Sequence, residues 1–351
     1  MTVIEVKTAP AYAVRIGDGL LRSLGGELRS LLPEARRLAL VTDVRVAELW
    51  AAPVEESLRG AGFSVCRLTV PTGDENKDGA HWMELLNGFA AAGLTRTDAV
   101  AALGGGMVSD LAGFAAATYL RGLPFVNVPT TLLAMADAAV GGKTGINLPA
   151  GKNLCGAFAQ PAAVFCDTET LQTLPPEVFT EGCGELVKTA VLCGGELFNA
   201  LNAKGPDFER ERVIAACVAK KAALVAEDPT DRGARKQLNL GHTLAHAVEA
   251  RSGYVIPHGL AVAMGLAHIT RAAKAHGICE AAAAAGIEGL LRRFGLPTEA
   301  PCALAELLPF LLRDKKRRGE RLDLILPEAI GRCRVEPVAT EALEEFLKAG
   351  F

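Results

Sequence analysis

Short apolar runs alternating with helix-like stretches fill the first half of this 351-residue chain and sharply restrict what it can fold into. The runs are Tyr12–Ile16, Leu38–Thr42, Ser64–Val70, Ala99–Leu103, Phe125–Val128 and Val164–Cys166. Helical composition lies between several of them, at Leu20–Leu32, Lys77–Ala92 and Val108–Tyr119. This alternation predicts a parallel sheet covered by helices on both faces, with ligands beyond the carboxyl ends of the strands. After about Pro175 the pattern changes. Glu177–Leu192, Val213–Ala226, Leu240–Arg251 and Leu260–His276 read as helices, and a short strand pair is expected near Arg321–Leu326 and Arg332–Pro337. Two prolines in Thr173-Leu-Pro-Pro-Glu suit a helix start and mark the expected boundary. The expectation is an α/β domain over 1–174 and a mainly helical, all-α domain over 175–351.

Composition narrows the partners. Half the residues are hydrophobic but only 5% are aromatic, so the core must be Ala, Leu and Val. A net charge of −3 argues against a general nucleic-acid or membrane surface. MTVIEVKTAPAY lacks the basic start and apolar run of a signal peptide, and no apolar stretch reaches the ~18 residues of a membrane span. Nine cysteines include no C-x-x-C pair, which disfavours a zinc ribbon and suits a reducing compartment. The expected setting is cytoplasmic, with no nucleic-acid and no membrane partner.

Several motifs carry chemistry. Gly104-Gly105-Gly106-Met-Val-Ser109-Asp110 follows an expected strand and opens an expected helix, where backbone N–H groups can approach a pyrophosphate. The dinucleotide fingerprint would place glycine at Ser109, and tight turning alone also explains the glycines. Asp137 to Thr144 mimics the end of a phosphate-binding loop, but Asp137 replaces the required glycine and would repel phosphate. Lys143 and Lys152, on glycine-flanked loops, suit an anionic small molecule.

The second half holds His242 and His246, four apart on one helix face, and then His258. With Glu185 they could form a one-carboxylate, two-histidine metal site with open positions. His246 fits a fourth ligand, a substrate contact or a core histidine equally. Arg235, Asn239, His242 and His246 are expected to share one helical stripe of cation, amide and imidazole.

Taken together, these motifs resemble the 3-dehydroquinate synthase family of sugar-phosphate cyclases, nearly end to end. The resemblance rests on Gly104 to Phe114, Ala117-Thr-Tyr-Leu-Arg121-Gly, Pro129-Thr-Thr-Leu-Leu-Ala, Asp137 to Asn147 and Gly151-Lys-Asn. It continues through Glu185-Leu-Val-Lys, Asn239 to Glu249, His258-Gly and Asp314-Lys-Lys. It implies an N-terminal Rossmann-like NAD-binding domain, a C-terminal metal-binding domain and a homodimer. It also implies a reaction: a seven-carbon keto-acid phosphate is transiently oxidised by NAD, loses phosphate by β-elimination, is reduced again and closes by an aldol step.

The resemblance also implies roles. Glu185, His242 and His258 match zinc or cobalt ligands. Lys143, Lys188, Lys221, Arg235, Asn239, His246 and Lys315 match the catalytic polar shell, and Arg121, Asp137, Lys152 and Asn153 match substrate contacts. Arg121 is implied to serve the neighbouring subunit's site. Asp43, Asp74, Lys77, Gly105, Gly106, Asp110, Thr130, Thr131, Lys143, Lys152, Thr170 and Thr173 match the NAD side. Ser109, Asp74, Arg45, Ala159 and Pro229 depart from the family pattern. Other cyclases, acting on sugar phosphates without a carboxylate, are the near alternative. A metal- and NAD-dependent polyol dehydrogenase is the more distant one, and a non-catalytic binding protein fits least.

Overall fold

The computed structural model of the protein describes residues 1–312, 317–318 and 321–351. Two compact units form: Met1–Pro175 with Arg210–Thr230, and Pro176–Glu209 with Asp231–Phe351.

The first unit is built on a seven-stranded sheet. Its strands are β1 (Thr2–Val6), β2 (Tyr12–Gly17), β3 (Arg37–Asp43), β4 (Ser64–Val70), β5 (Ala99–Gly104), β6 (Phe125–Pro129) and, after a separate hairpin, β9 (Ala163–Asp167). The order is β1-β2-β9-β6-β5-β3-β4, parallel throughout except where β1 runs against β2. All six expected strands are present. Leu38, Leu40, Ala101 and Leu103 face one core, and Ala39, Val41, Val100 and Ala102 face the other. Burial on both faces explains why these strands read as unbroken apolar runs. From β3 the chain crosses outward to β4 and then returns to β5 on the other side. This switch point sets Asp43, the last residue of β3, beside Gly104 at the end of β5.

Two features of this unit differ from expectation. The glycine-rich stretch read as loops is a hairpin, β7 (Lys143–Leu148) against β8 (Gly151–Phe158). Because a strand begins at Lys143, the phosphate-loop mimic lacks the helix that such a loop requires. Helix Arg210–Glu227, expected in the second domain, belongs to the first unit. It packs on β1 and β2, and Thr2 Oγ1 donates to Glu211 Oε1 at 2.7 Å.

The second unit is mainly helical, with Pro176–Cys193, His242–Arg251 and His258–Ala275 at its centre. The all-α expectation needs correction. The expected strand pair is present but belongs to a three-stranded antiparallel sheet, β10 (Arg317–Arg318), β11 (Arg321–Ala329) and β12 (Arg332–Ala339). Leu322, Leu324 and Leu326 bury one face of β11. Among the described residues, no helix is long and apolar enough to cross a membrane.

Candidate active site

In the second unit, glycines set the geometry. A Cβ on Gly184 would lie 2.0 Å from the Gly259 carbonyl oxygen, and one on Gly259 would lie 1.9 Å from that of Glu181. Only glycine lets Pro176–Cys193 and His258–Ala275 touch backbone to backbone. The residues next to these glycines, Glu185 and His258, are thereby brought together. Glu185 Oε1 lies 3.3 Å from His258 Nε2 and 3.2 Å from His242 Nε2. Lys188, one turn after Glu185, places Nζ 2.5 Å from Oε2, and both side chains are 1% exposed.

The imidazole orientations follow from their other nitrogens. His242 Nδ1 lies 3.1 Å from the Leu240 carbonyl oxygen, and His258 Nδ1 lies 3.1 Å from Glu249 Oε2. Both partners only accept, so each Nδ1 carries a hydrogen and each Nε2 turns its lone pair toward Glu185. A lone pair facing a carboxylate oxygen at this range needs a proton or a cation between them. Without metal a proton serves at His258. Burial opposes its charge most strongly, but Glu185 and Glu249 outweigh it and raise the pKa to about 10. His242 is pushed down, chiefly by burial against the pull of Glu185. Burial works hardest against the Glu185 charge, yet Lys188 and His242 hold its carboxyl well below the ordinary range.

This donor set fits a divalent metal. Glu185, His242 and His258 offer ligand atoms within 4.8 Å of one another, and neither buried Glu185 oxygen meets a donor at hydrogen-bonding angles. One carboxylate with two imidazoles suits Zn²⁺ or Co²⁺ and leaves coordination positions open.

The expected stripe is interrupted. Arg235 and Asn239 lie on a 3₁₀ turn, Ala234–Asn239, and the helix begins only at His242 after Gly241 at φ +78°. Gly241 packs against Leu266 so closely that a Cβ would meet its backbone nitrogen at 2.8 Å. Only His242 and His246 keep the helical relation, with rings 5.5 Å apart and perpendicular. Arg235 is buried, and Asn239 Nδ2 donates to the Lys236 carbonyl at 3.2 Å. Lys315 lies outside the described residues.

In the first unit a second cluster joins residues distant in sequence. Buried Lys77 places Nζ 2.8 Å from Asp110 Oδ2 and 3.3 Å from Asp74 Oδ1, and Lys152 Nζ lies 3.0 Å from Asp74 Oδ2. Asn147, which the sequence reading missed, donates from Nδ2 to the Asp74 carbonyl at 2.9 Å and accepts from the Asn153 amide at 3.0 Å. Burial, the largest influence on each, raises Asp110 and opposes charge on Lys77 and Asp74. The ion pairs nevertheless raise Lys77 and lower Asp74.

Other expected residues of this unit are held locally. Asp43 caps the next turn by accepting from the Arg45 and Val46 amides, and also accepts from Thr72 Oγ1 at 3.0 Å. Gly105 caps helix Gly106–Thr118, where a Cβ would lie 3.2 Å from Thr131 Cγ2. Ser109 is buried and donates back to the Gly105 carbonyl at 3.3 Å. Thr130 is buried, Thr170 donates to the Asp167 carbonyl, and Thr173 accepts from Trp50 Nε1. Lys221 Nζ lies 2.8 Å from Asp137 Oδ1 and donates to the Asp137 carbonyl at 2.7 Å. Lys143 is exposed at the start of β7. Arg121 belongs to neither cluster; it is exposed on a turn at φ +69°.

A parallel-sheet α/β unit together with a mainly helical unit is the architecture of solved sugar-phosphate cyclases. The 2-deoxy-scyllo-inosose synthase solved with carbaglucose-6-phosphate, NAD⁺ and Co²⁺ superposes with a TM-score of 0.89 at 25% identity, over 100% of both chains. The 2-epi-5-epi-valiolone synthase of Streptomyces hygroscopicus subsp. jinggangensis, solved with NAD⁺ and Zn²⁺, gives 0.88 at 26%, over 97% of this chain and 96% of that one. The match in sequence is more particular. Residues 67–181 fit the 3-dehydroquinate synthase N-terminal family and residues 182–317 its C-terminal counterpart. The 3-dehydroquinate synthase of Symbiobacterium thermophilum is 42% identical over 348 residues, covering 96% of this chain and 97% of the relative. The chain belongs to the 3-dehydroquinate synthase family.

Proposed function

We propose that this chain is a carbon–oxygen lyase of the shikimate pathway that converts 3-deoxy-arabino-heptulosonate 7-phosphate to 3-dehydroquinate and phosphate. Family membership supports this activity, and the convergence of Glu185, His242 and His258 is the observation that carries it. These three residues would hold Zn²⁺ or Co²⁺. Asp43, Asp74, Lys77, Gly105, Gly106, Asp110, Thr130, Thr131, Lys143, Lys152, Thr170 and Thr173 form the NAD side. When bound, NAD supplies reversible hydride acceptance and the metal supplies Lewis-acid polarisation of a substrate hydroxyl.

The remaining roles belong to the chain's own side chains. A substrate bearing a carboxylate and a phosphate needs concentrated positive charge despite the chain's net charge of −3. Lys143, Lys188, Lys221, Arg235 and Lys315 supply it, and Asn239 and His246 donate or accept at substrate hydroxyls. Asp137 holds Lys221 in place, as their 2.8 Å contact supports. Lys152 and Asn153, tied to Asp74 and Asn147, position the substrate, and Arg121 serves the partner protomer of a cytoplasmic homodimer. Lys188 offsets the Glu185 charge at 2.5 Å, and a cation there favours proton loss from a nearby substrate hydroxyl.

Incubated with NAD⁺ and Zn²⁺ or Co²⁺, the purified protein releases phosphate from the heptulosonate phosphate in step with dehydroquinate and without net NADH. Phosphate release only from a sugar phosphate lacking the carboxylate would assign it to another cyclase activity. NADH accumulation from a polyol with no phosphate release would overturn the lyase reading.

A further inference from the structure

The two imidazoles of the proposed metal site are anchored in different ways. His242 is tethered within its own segment, through Nδ1 to the Leu240 carbonyl. Among the described residues His258 meets no such acceptor within its own segment. It is the first residue of its helix, follows Pro257, and its side chain is 30% exposed, so packing alone does not set its ring. Its Nδ1 instead meets Glu249 Oε2 at 3.1 Å. Glu249 lies three residues after His246 and seven after His242 on helix His242–Arg251, and it is 2% exposed. A carboxylate buried this deeply is costly to keep ionised unless hydrogen-bonded donors surround it.

We propose that Glu249 is a positioning residue, whose carboxylate fixes the His258 ring and tautomer so that Nε2 presents its lone pair to the metal beside Glu185. Glu249 touches neither metal nor substrate in this role and acts through His258. His246, Glu249 and His258 also group within 4.8 Å as possible cation ligands. The hydrogen bond at Nδ1 already uses the atom that a second ion would need, which favours positioning over a second metal. The inference rests on the metal assignment above.

The test uses the full-length protein labelled with ¹⁵N-histidine, as wild type, Glu249→Gln and Glu249→Ala. Cobalt affinity is read by chelator competition, and the His258 Nδ1–H hydrogen bond by ¹⁵N and ¹H chemical shift and water exchange in metal-free and zinc-loaded protein. Loss of an outer-shell partner costs about 10- to 100-fold in metal affinity, so Glu249→Ala is expected in that range and Glu249→Gln at a smaller loss. The His258 Nδ1–H is expected to resonate downfield and exchange slowly with water in wild type, and to move upfield and exchange faster in Glu249→Ala, where its acceptor is gone. Wild-type cobalt affinity in both variants, or an unchanged His258 Nδ1–H shift and exchange rate in Glu249→Ala, overturns the inference even where thermal stability falls. If Glu249→Ala does not fold, the near-isosteric Glu249→Gln decides: weakened affinity supports the role and wild-type affinity overturns it. If the wild type itself binds no cobalt, the metal assignment fails. The metal-free comparison of the His258 Nδ1–H shift and exchange rate still decides whether Glu249 fixes the ring.

Discussion

Gly259→Ala tests whether the metal site depends on backbone contact between two helices. In an exposed helix interior, Gly→Ala stabilises by about 1 kcal/mol, because alanine has less freedom to lose. Gly289 provides that reference. It is exposed within helix Ala281–Arg293, and nothing lies within 4 Å of an added Cβ. At Gly259 the added Cβ would lie 1.9 Å from the Glu181 carbonyl oxygen, about 1.5 Å short of ordinary contact. A backbone oxygen cannot swing aside as a side-chain tip can, so the helices must separate. Overpacking of this kind costs about 1–3 kcal/mol, so the sign reverses relative to Gly289→Ala. The same separation pulls Glu185 from His258. Metal–ligand distances tolerate only about 0.2 Å, so affinity should fall by at least about tenfold. Urea denaturation and chelator competition with Co²⁺ measure the two effects. If Gly259→Ala matches Gly289→Ala in stability and wild type in metal affinity, the close approach does not build the site.

Two further outcomes follow from the first unit. Asp98 is 1% exposed and accepts from the amides of Arg36, Arg37 and Thr95 and from the Thr95 hydroxyl. Burial, the largest influence, opposes its charge, but the donors prevail and lower its pKa. Its contribution is therefore fully present above the unfolded value near pH ~3.9 and is lost as pH falls through the folded pKa. Asp98→Asn should cost about 1.5–3 kcal/mol at pH 7, with the gap to wild type narrowing below about pH 4 in denaturation curves. A gap that is constant across this range would refute the charge assignment. Ser109→Gly should leave NAD⁺ affinity by calorimetry within about twofold, because the hydroxyl turns back to Gly105, while costing about 0.5 kcal/mol in stability. A large affinity gain would show instead that Ser109 obstructs the cofactor.

The parallel sheet was readable because its strands are buried on both faces and stand out as runs such as Leu38–Thr42 and Ala99–Leu103. Hairpin β7–β8 was not, for the same reason reversed. Gly145 and Gly156 bring its strands so close that a Cβ on Gly145 would meet the Cys155 carbonyl at 2.6 Å. Glycines there read as loop rather than strand. Helix Arg210–Glu227 had the right periodicity but the wrong expected unit, since periodicity reports an apolar face and not what covers it.

The site follows the same logic. Spacing alone placed His242 and His246 on one face, and it failed at Arg235 and Asn239 because Gly241, at φ +78°, ends the regular register before His242. The contact between Glu185 and His258 has no local signal of its own. It depends on Gly184 and Gly259, which in the sequence are ordinary helix-weakening residues and in the fold allow the two helices to meet. Glu249 was visible as an acid three residues after His246, but its use became apparent only once His258, from the next helix, was seen to meet it at 3.1 Å. Residues that carry chemistry can thus be nominated from their type and spacing. The residues that aim them are glycines and a buried acid, whose local reading is unremarkable until the partner element is in place.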